Sequence, residues 1–377
     1  MPRTLGIGVI GCGNISASYM ALAPLFKGIE MRACADVDPD AAAARAAEYG
    51  LRAQSVDDLL ASPDIDIVVN LTVPVAHYDI SRRILQAGKH SYSEKPFVLT
   101  LPEAESLRRL ADASGLRIGS APDTFMGAAH QLARAAIDEG RVGPITGGTC
   151  HVMSSGMEDW HPNPDFFFQP GAGPILDLGP YYITNLVQLI GPVASVAAMT
   201  GMGRPTRTIG SGPRMGQEVP VATPTNIHAL LQFANGAIVT LGASWDVKAH
   251  GHSNMELYGH DGTIFVPDPN FFGGEVRIDD GAGETRPDDR DHPFGRINKV
   301  DNHGIDRADY RGAGLADMAA AIIEGRPHRC GLDLATHVVE VMQAILQAGH
   351  ENRVVRLTTT CTRPEALDPD AAQALLV

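Results

Sequence analysis

Short apolar runs alternate with helix-compatible segments over the first hundred residues of the chain. Residues 5–10, 31–35 and 65–71 are apolar, and the alanine-rich segment 40–49 separates the second run from the third. Strands that alternate with helices indicate βαβ units, in which neighbouring strands run parallel. The run Ile67-Val68-Val69 is typical of a parallel strand that is covered on both faces. The pattern therefore predicts an α/β fold that begins with a doubly wound parallel sheet.

After about residue 125 the pattern changes to paired strands and helices. Asn235-Gly236 separates two apolar runs, and this dipeptide is a strong signal for a β-hairpin. Helical periodicity returns at 315–324 and 334–347, so an α+β second half is expected. The segment 267–312 is rich in Gly, Asp and Pro, which predicts a long surface excursion.

Length and composition favour two globular domains that handle small molecules. A chain of 377 residues exceeds what one hydrophobic core usually serves. We therefore expect a first domain at 1–125 and a second at 126–377. The net charge of −14, without any basic run, argues against nucleic acid as a partner. The five cysteines are scattered without a C-x-x-C pair, so neither a disulfide framework nor a cysteine zinc site is indicated.

The sequence shows neither a membrane segment nor a secretion signal. No apolar stretch approaches the roughly 20 residues needed to cross a bilayer. The first residues lead directly into an apolar strand, without the charged and apolar regions of a signal peptide. A cytoplasmic protein without membrane association is the expectation.

A glycine-rich turn follows the first predicted strand. Gly11-Cys12-Gly13-Asn14-Ile15-Ser16 lies between a strand and a helix, which is the setting that the G-x-G-x-x-G/A dinucleotide fingerprint requires. Gly11 allows the tight turn, and Gly13 lets the backbone approach a pyrophosphate. That pyrophosphate would lie against the helix N-terminus at Asn14 and Ile15. Ser16 replaces the third small residue.

An acidic residue ends the second predicted strand and bears on the choice of cofactor. Asp36 lies 20 residues after Ser16, where a carboxylate would bind the ribose hydroxyls of a dinucleotide. An Asp there would repel a 2′-phosphate, so NAD is favoured over NADP. In the alternative interpretation, the glycines only shape a turn and the acidic residue caps the next helix. Asp38-Pro39 is a plausible start for that helix, which leaves Asp36 for the ribose.

The ordered set of motifs resembles the Gfo/Idh/MocA family of oxidoreductases. The motifs that carry the resemblance are the Thr72–His77 stretch, Ser93-Glu94-Lys95-Pro96 after a strand, and the segment from Gly171 to Tyr181. The resemblance implies a Rossmann domain followed by an α+β domain with a large, open, mainly antiparallel sheet. It also implies a sugar or polyol substrate between the domains and against the nicotinamide. Homodimers or homotetramers are common in such enzymes.

Lys95 is the catalytic residue that the resemblance implies in the first domain. An ammonium beside a developing alkoxide stabilises its charge, and a lysine whose pKa is lowered by burial exchanges protons near neutral pH. The alternative is a surface salt bridge between Lys95 and Glu94. By resemblance, Thr72, His77, Glu94 and Lys95 also contact the cofactor, although a capping or packing role for His77 is equally open.

Asp177 and Tyr181 are the candidates in the second domain. Many family members carry Asp-x-Gly-x-His here, whereas this chain has Asp177-Leu178-Gly179-Pro180-Tyr181. A tyrosine resembles the glucose-fructose oxidoreductase and dihydrodiol dehydrogenase branches, in which it is the presumed acid/base. A spacing of four predicts that both side chains lie on one helical face, in a helix that begins no earlier than about Asp177. Alternatively, Tyr181 is a core aromatic and Asp177 a helix cap.

Two further side chains are weaker substrate contacts. His161 lies in an aromatic loop too rich in proline for a helix, at 160–168, and Asp123 follows a strand at the domain junction. The structural alternative for this loop is that its phenylalanines anchor it in the core. His250-Gly251-His252 lacks the spacing of a zinc ligand set, so no metal is expected.

These residues predict reversible oxidation of a secondary alcohol on a sugar, polyol or glycoside, with NAD as the hydride acceptor. Lys95 with Tyr181 would remove the hydroxyl proton, and Asp177 would fix the substrate or tune Lys95. Two alternatives stay open. One is a glycosidase or epimerase that retains its NAD and oxidises the sugar transiently. The other is a non-catalytic regulator that binds a dinucleotide.

Overall fold

A computed structural model describes residues 3–161, 163–288, 291–301 and 304–377. Contacts divide the chain into two compact units. Unit 1 comprises Met1–Gln131, Asp289–Val339 and Pro364–Val377, and unit 2 comprises Leu132–Asp288 and Glu340–Arg363. Two segments from the last third of the chain, 289–339 and 364–377, therefore belong to the same compact unit as the N-terminal region. The boundary predicted at residue 125 stays a prediction.

Unit 1 contains a parallel sheet of the Rossmann type. Among the described residues the sheet has six strands, in the order β3-β2-β1-β4-β5-β6. Every pairing in it is parallel, and Leu5–Ile10 is wholly buried because helices cover both faces. Its strands are β1 (Leu5–Ile10), β2 (Ile29–Ala35), β3 (Arg52–Ala53), β4 (Ile67–Asn70), β5 (His90–Ser93) and β6 (Ile118–Ser120). The helices between them are α1 (Asn14–Leu22), α2 (Pro39–Tyr49), α3 (Val56–Ala61), α4 (His77–Gln86) and α5 (Leu101–Ser114).

The helices of unit 1 begin where local chemistry caps them. Thr100 and Glu103 form a reciprocal capping box at the start of α5, and Asp38 accepts a hydrogen bond from Asp40 N at the start of α2. The start of α1 differs, because Gly13 supplies no side chain to cap it. Ser16 N donates to Gly13 O, and the amide groups of Asn14 and Ile15 before it are left for another partner.

Unit 2 is built on a large open sheet. In the described part of the chain this sheet has nine strands, in the order β16-β15-β14-β13-β7-β12-β11-β8-β19. All its pairings are antiparallel except that of β7 with β12. Both halves of the predicted fold, α/β and then α+β with a mainly antiparallel sheet, are confirmed. The elements after α5 are α6 (Ala128–Asp138), β7 (Ile145–Met153), α7 (Pro174–Asp177), α8 (Gly179–Ile190), β8 (Val193–Gly201), β9 (Thr206–Thr208), β10 (Glu218–Pro220), β11 (Asn226–Phe233), β12 (Ile238–Ser244), β13 (Met255–Gly259), β14 (Thr263–Val266), β15 (Arg277–Asp279), β16 (Glu284–Thr285), β17 (Lys299–Val300), β18 (Asp306–Arg307), α9 (Ala313–Glu324), α10 (Leu332–Glu351), β19 (Val355–Arg356) and α11 (Pro369–Leu375).

One sequence expectation about this half is wrong. The segment 267–312 was expected to be a surface excursion, but Phe272 and Phe294 within it are fully buried. Strands β15 and β16 of the same segment extend the edge of the large sheet. In the described residues, no helix combines the length and apolar character needed to span a membrane.

Candidate active site

The carboxyl ends of the parallel strands of unit 1 gather most of the predicted cofactor residues. Because β1 is flanked by β2 and β4, which run parallel to it, the residues that follow these three strands lie at one edge of the sheet. Gly11 follows β1, Asp36 follows β2, and Thr72 comes two residues after β4. In open α/β sheets a ligand binds at this edge, where the strand order reverses.

The two glycines of the turn have different constraints. Gly11 has φ +103°, and a Cβ there would lie 2.6 Å from the backbone of Leu71. Gly13 has an extended backbone with φ −71°, and a Cβ there would meet nothing within 4 Å. Gly11 is thus required by the fold. Gly13 instead leaves open space beside the uncapped start of α1, at Asn14 and Ile15, as a bound pyrophosphate requires.

Asp36 is oriented by the glycine turn itself. Its Oδ2 accepts a hydrogen bond from Cys12 N at 2.6 Å, and its Oδ1 accepts one from Asp38 N at 2.9 Å. Each oxygen keeps a further lone pair for a ribose hydroxyl. A cavity of about 790 Å³ opens beside Asp36, and none of its lining residues is Lys or Arg. The lining offers no cation for a 2′-phosphate, so these residues fit NAD.

Lys95 lies two residues beyond β5, at the same edge of the sheet, and is half-buried. Glu94 orients this turn, since its Oε2 accepts from Lys95 N at 2.9 Å and its Oε1 from the Tyr19 hydroxyl at 3.0 Å. The Glu94 N–H donates to Asn70 O at the end of β4. Glu94 thus ties the lysine turn to α1 and β4. The role of Tyr19 was missed, because no local pattern separates it from an ordinary buried helix residue.

His77 lies in the interior and joins two loops of this edge. Its Nδ1 is 2.7 Å from Pro96 O, its Nε2 is 2.9 Å from Thr72 O, and only 1% of the residue is exposed. Burial lowers the pKa of His77, against the two carbonyl contacts, which raise it. With both ring nitrogens engaged, His77 holds the backbone of the Lys95 turn. The predicted contact between His77 and the cofactor remains untested, and this geometry favours the packing alternative.

Asn70 organises the turn after β4 and was missed by the sequence analysis. Its side chain donates to His77 O and to Ser81 Oγ, and it accepts from the Thr72 hydroxyl at 2.7 Å. The available signal was an amide side chain that ends an otherwise apolar strand, since a buried amide needs several partners. Thr72, predicted as a cofactor contact, is placed by this network.

Asp123 is a buried carboxylate at the start of α9. Its Oδ2 accepts from Gly312 N at 2.8 Å and from Gly314 N at 3.0 Å, and 2% of the residue is exposed. Burial raises the pKa of Asp123 to about 6, against the two backbone bonds, which lower it. The predicted substrate contact by Asp123 is untested, and its placement favours a structural role.

In unit 2, Asp177 and Tyr181 lie on two consecutive helices. Asp177 ends α7, Leu178 joins the helices, and Tyr181 lies in the first turn of α8. The expectation of one continuous helical face is therefore wrong. The helix that contains Pro180 begins at Gly179, as expected from a proline in its first turn. Pro174 opens α7 and Pro180 opens α8. Because Pro180 has no N–H to continue the first helix, the chain divides there.

The two neighbouring tyrosines of α8 have different environments. Tyr182 is 2% exposed, and its hydroxyl donates to Asp268 Oδ1 at 3.1 Å and accepts from Asn254 Nδ2 at 2.9 Å. Burial raises the pKa of Tyr182 well above its ordinary value. Tyr182 is therefore a structural residue, whereas the alternatives for Tyr181, acid/base or core aromatic, stay untested. Tyr181 is 9% exposed, and Asp177 is half-buried.

The aromatic loop of unit 2 presents His161 among rings. The His161 ring meets Trp160, Phe166 and Phe167 edge to face, at centroid distances of 5.5, 5.6 and 5.1 Å. Trp160 and Phe166 are exposed, whereas Phe168 is fully buried. The loop therefore combines an anchored base with an exposed aromatic tip. Pro162 lies outside the described residues.

A Rossmann sheet with an open glycine turn, an acidic residue after β2 and a lysine after β5 has the features of an NAD-binding oxidoreductase. The comparisons agree. Residues 5–121 match the model of an oxidoreductase family with an NAD-binding Rossmann fold, and residues 130–265 match the GFO/IDH/MocA C-terminal domain. The chain belongs to the Gfo/Idh/MocA family.

The names of two curated relatives state a sugar derivative as the substrate. Levoglucosan dehydrogenase of Pseudarthrobacter phenanthrenivorans is 26% identical over 291 residues, or 70% of this chain and 73% of that protein. The 1,5-anhydro-D-fructose reductase of Ensifer adhaerens is 26% identical over 264 residues, which cover 68% and 74% of the two chains. A solved structure of levoglucosan dehydrogenase with NADH has a TM-score of 0.79 at 23% identity and covers 95% of this chain and 100% of that one. At this identity it shows similarity of fold.

In the described part of the chain, no group of three or more His, Cys, Asp or Glu side chains is placed to hold a metal ion. All five cysteines lie in the described part of the chain and are buried, and none of them forms a disulfide bond: Cys12, Cys34, Cys150, Cys330 and Cys361.

Proposed function

We propose that this protein reversibly oxidises a secondary alcohol of a sugar, polyol or glycoside, with NAD as the hydride acceptor. The observation that carries the proposal is the position of Lys95. It follows β5 at the edge of the sheet that also presents Gly11, Gly13 and Asp36. A cationic side chain beside the dinucleotide edge supplies both charge and a proton path for an alcohol.

In the proposed step one C–H bond and one O–H bond of the alcohol break, and the hydride and the proton go to different acceptors. The alcohol carbon loses a hydride, which bound NAD⁺ accepts at nicotinamide C4, and the hydroxyl loses its proton. We propose that Lys95 and Tyr181 take this proton and that Asp177 fixes the substrate. A carbonyl and NADH result, and the reverse step reduces the carbonyl. Glu94 acts through the backbone N–H of Lys95 and His77 through the carbonyl of Pro96, so both are positioning residues.

The substrate class is taken from the relatives as well as from the residues. The curated relatives named above are a dehydrogenase of levoglucosan and a reductase of 1,5-anhydro-D-fructose. Two further relatives are inositol 2-dehydrogenases that share 28% and 30% identity with this chain over shorter stretches. A cyclic polyol or sugar ring is the feature that these names have in common.

The reaction is tested by replacing Lys95. We expect Lys95→Met to lower kcat by about 10²–10⁴-fold, the usual contribution of a positioned acid or base, while the Kd for NADH changes by less than about threefold. Lys27→Met is the matched control, because Lys27 is exposed and lies just before β2, at the amino end of that strand and not at its carboxyl end. Turnover is followed as NADH formation on a panel of levoglucosan, inositols, monosaccharides and methyl glycosides with NAD and with NADP. Full activity of Lys95→Met would contradict the proposal.

The same panel separates the alternatives. Glycoside cleavage or epimerisation without added NAD and without net NADH would favour the enzyme that retains its cofactor. NADH binding without turnover of any substrate would favour the regulator. The presence of both Lys95 and Tyr181 in one chain argues against the regulator.

We also propose that the protein assembles as a homodimer or homotetramer through the open face of the nine-stranded sheet. Met199, Leu230 and Ile238 are exposed there, on the adjacent strands β8, β11 and β12. Exposed apolar patches of this kind mark protein interfaces. The cytoplasmic location expected from the sequence stays a prediction, for cell fractionation to test.

A further inference from the structure

A strap of unit 2 lies along the segment 157–173, which contains the aromatic loop and leads into α7. The strap is residues 205–224, and it comprises β9, β10 and the turn between them. Hydrogen bonds join the two segments along their length. They run from Gly210 N to Glu158 O, from Gln169 Nε2 to Pro220 O, from Ala222 N to Phe168 O and from Thr223 Oγ1 to Ala172 O. The strap therefore supports the loop from its start to its end.

Buried contacts fix the inner side of the strap. One apolar cluster contains Ile209, Val219 and Val221 of the strap together with Phe167 and Phe168 of the loop. The side chain of Arg207 is 2% exposed and forms ion pairs with Glu158 at 2.8 Å and with Asp246. Because a buried charge without its partner is costly, these ion pairs hold the strap in one position.

The outer link between strap and loop is an ion pair of Arg214 with Asp165. Arg214 Nη1 and Nη2 donate to the two carboxylate oxygens of Asp165 at 2.5 and 2.9 Å. Arg214 Nε donates to Gln217 Oε1 at 3.0 Å, so the guanidinium is held from both sides. The Arg214 side chain is 33% exposed, and exposed ion pairs contribute little to stability. A bidentate arginine nevertheless fixes direction as well as distance, which suits a positioning role.

Asp165 lies where its position affects the candidate site. It begins the 3₁₀ turn Asp165–Phe168. Gly173 N donates to Phe167 O at 3.0 Å, and Asp177 N donates to Gly173 O at 3.0 Å. Backbone hydrogen bonds therefore connect the turn that Arg214 holds to α7, which ends at Asp177.

The same turn carries part of the aromatic tip, which is defined here as Trp160, His161 and Phe166. The His161 ring contacts the other two rings edge to face. Trp160 is 65% exposed and Phe166 is 51% exposed. Anchoring in the core explains the buried phenylalanines of the loop but not these exposed rings. Adjacent exposed apolar side chains are typical of a binding surface.

We propose that Arg214, through Asp165, positions the aromatic tip and Asp177 for the substrate. Arg214 is then a positioning residue that determines substrate affinity and takes no part in the chemical step. This inference rests on the proposed function, because it takes Asp177 as a substrate contact. The rings of the tip contact the substrate equally before and during the reaction. Loss of such uniform binding raises KM and leaves kcat nearly unchanged.

Steady-state kinetics test this role with the member of the sugar and polyol panel that the unmodified protein turns over fastest. We expect Arg214→Ala to raise KM about tenfold, with kcat and the Kd for NADH each within about threefold of their original values. Arg214→Lys keeps the charge but loses the bidentate geometry, so an intermediate KM is expected. Arg214→Asp combined with Asp165→Arg reverses the pair and should restore the original KM.

Arg286→Ala is the matched control. Arg286 is an exposed arginine of the same unit, and it forms ion pairs with Glu275 and Glu284 outside the strap. We expect its KM and kcat to equal those of the unmodified protein. An equal rise of KM in Arg286→Ala and Arg214→Ala would show a general effect of lost surface charge and would overturn the proposal.

Trp160 reports the position of the tip without any turnover. Trp160 and Trp245 are the two tryptophans of the chain, and Trp245 is fully buried. Quenching of tryptophan emission by acrylamide therefore measures the exposure of Trp160. We expect the Stern–Volmer constant to rise in Arg214→Ala and to stay unchanged in Arg286→Ala, because a tip released from the strap is open to the quencher on both faces. Thermal unfolding should give the same Tm for both variants within a few degrees.

The combined outcomes separate this inference from the proposed function. An unchanged KM or unchanged quenching in Arg214→Ala would overturn the positioning role. A large fall of kcat at constant KM would also overturn it, because Arg214 would then act on the chemical step. If the unmodified protein turns over no member of the panel, the proposed function fails instead. Quenching then still decides whether Arg214 holds the aromatic tip.

Discussion

At the scale of single residues, Asp123 combines a buried charge with a structural task. Both backbone bonds that it accepts go to one oxygen, Oδ2, so an asparagine can keep them through its amide oxygen. The pKa of Asp123 is raised from 3.8 to about 6 by burial. The folded protein therefore binds a proton here that the unfolded chain has already released between these pH values.

The sign of the pH dependence follows from this difference. Because the folded pKa is raised, the contribution of Asp123 to stability is fully present below about pH 4 and is lost as pH rises towards about 6. The loss amounts to roughly 3 kcal/mol. We predict that Asp123→Asn removes this part of the pH dependence of the free energy of unfolding, measured by urea denaturation from pH 4 to 7.

Asp368→Asn is the control for this experiment, because Asp368 caps α11 at an exposed position. Asp123→Asn also separates the two interpretations of the residue. Unchanged turnover would support the structural role, and a large loss of kcat/KM with normal stability would restore the predicted substrate contact. An identical pH dependence in both proteins would contradict the buried charge.

Residue types were easier to predict than their partners. The sequence located Gly11, Asp36 and Lys95 at strand ends, because motif spacing and apolar runs are local properties of the chain. It could not show that both ring nitrogens of His77 face backbone carbonyls, since Pro96 lies 19 residues away. The ion pairs of Arg207 with Glu158 and Asp246 could not be predicted for the same reason, because the two acids lie 49 and 39 residues away in the sequence.

At the scale of elements, the turn between β1 and α1 allows fold and cofactor binding to be separated. We predict that Gly13→Ala weakens NADH binding at least tenfold while Tm stays within a few degrees. Its backbone is extended, and the added Cβ enters space that is open without a ligand. Isothermal titration with NADH and thermal unfolding measure the two effects.

Two glycine controls complete that comparison. Gly11→Ala would destabilise the protein itself, because its φ is +103° and the Cβ meets the backbone of Leu71. Gly50→Ala, at the end of α2 with φ +69° and nothing within 4 Å, should cost about 1 kcal/mol of stability without affecting NADH. Unchanged NADH affinity in Gly13→Ala would contradict a pyrophosphate at this turn.

Helix boundaries and buried aromatics limited the prediction of elements. The spacing of Asp177 and Tyr181 correctly suggested helical structure, but Pro180 starts a second helix instead of joining one. The segment 267–312 has the composition of a loop, but its few aromatic side chains hold parts of it in the core. Phe272 and Phe294 are buried because single large side chains outweigh the polar residues around them.

At the scale of the whole molecule, unit 1 is assembled from distant segments. Ser120 N donates to Cys330 O, and Gly119 of β6 forms an isolated bridge with Gly331. Such pairings span more than 200 residues and leave no periodic signal in the sequence. The two-part architecture was therefore predictable from strand and helix patterns, whereas the return of 289–339 to unit 1 was not.

The open sheet face carries the prediction about assembly. Strands β8, β11 and β12 contain no Asp, Glu, Lys or Arg, although the chain as a whole has a net charge of −14. Their inward residues, such as Leu231, are buried, while Met199 is 73% exposed and Leu230 49% exposed on the other face. An uncharged face on a strongly acidic protein is where a second copy can approach with the least electrostatic repulsion.

We predict that Leu230→Lys converts the assembly into single chains, measured as molar mass by light scattering after size-exclusion chromatography. Leu230 faces outward between Ala197 on β8 and Thr240 on β12, so a lysine there places a charge in the middle of the patch without touching the core. Met215→Lys, at a residue that is 71% exposed outside the sheet, should leave the mass unchanged. A native mass equal to one chain in the unmodified protein would contradict the proposed assembly. An unaltered oligomer in Leu230→Lys would place the interface elsewhere, because an isologous contact repeats the introduced charge on both subunits.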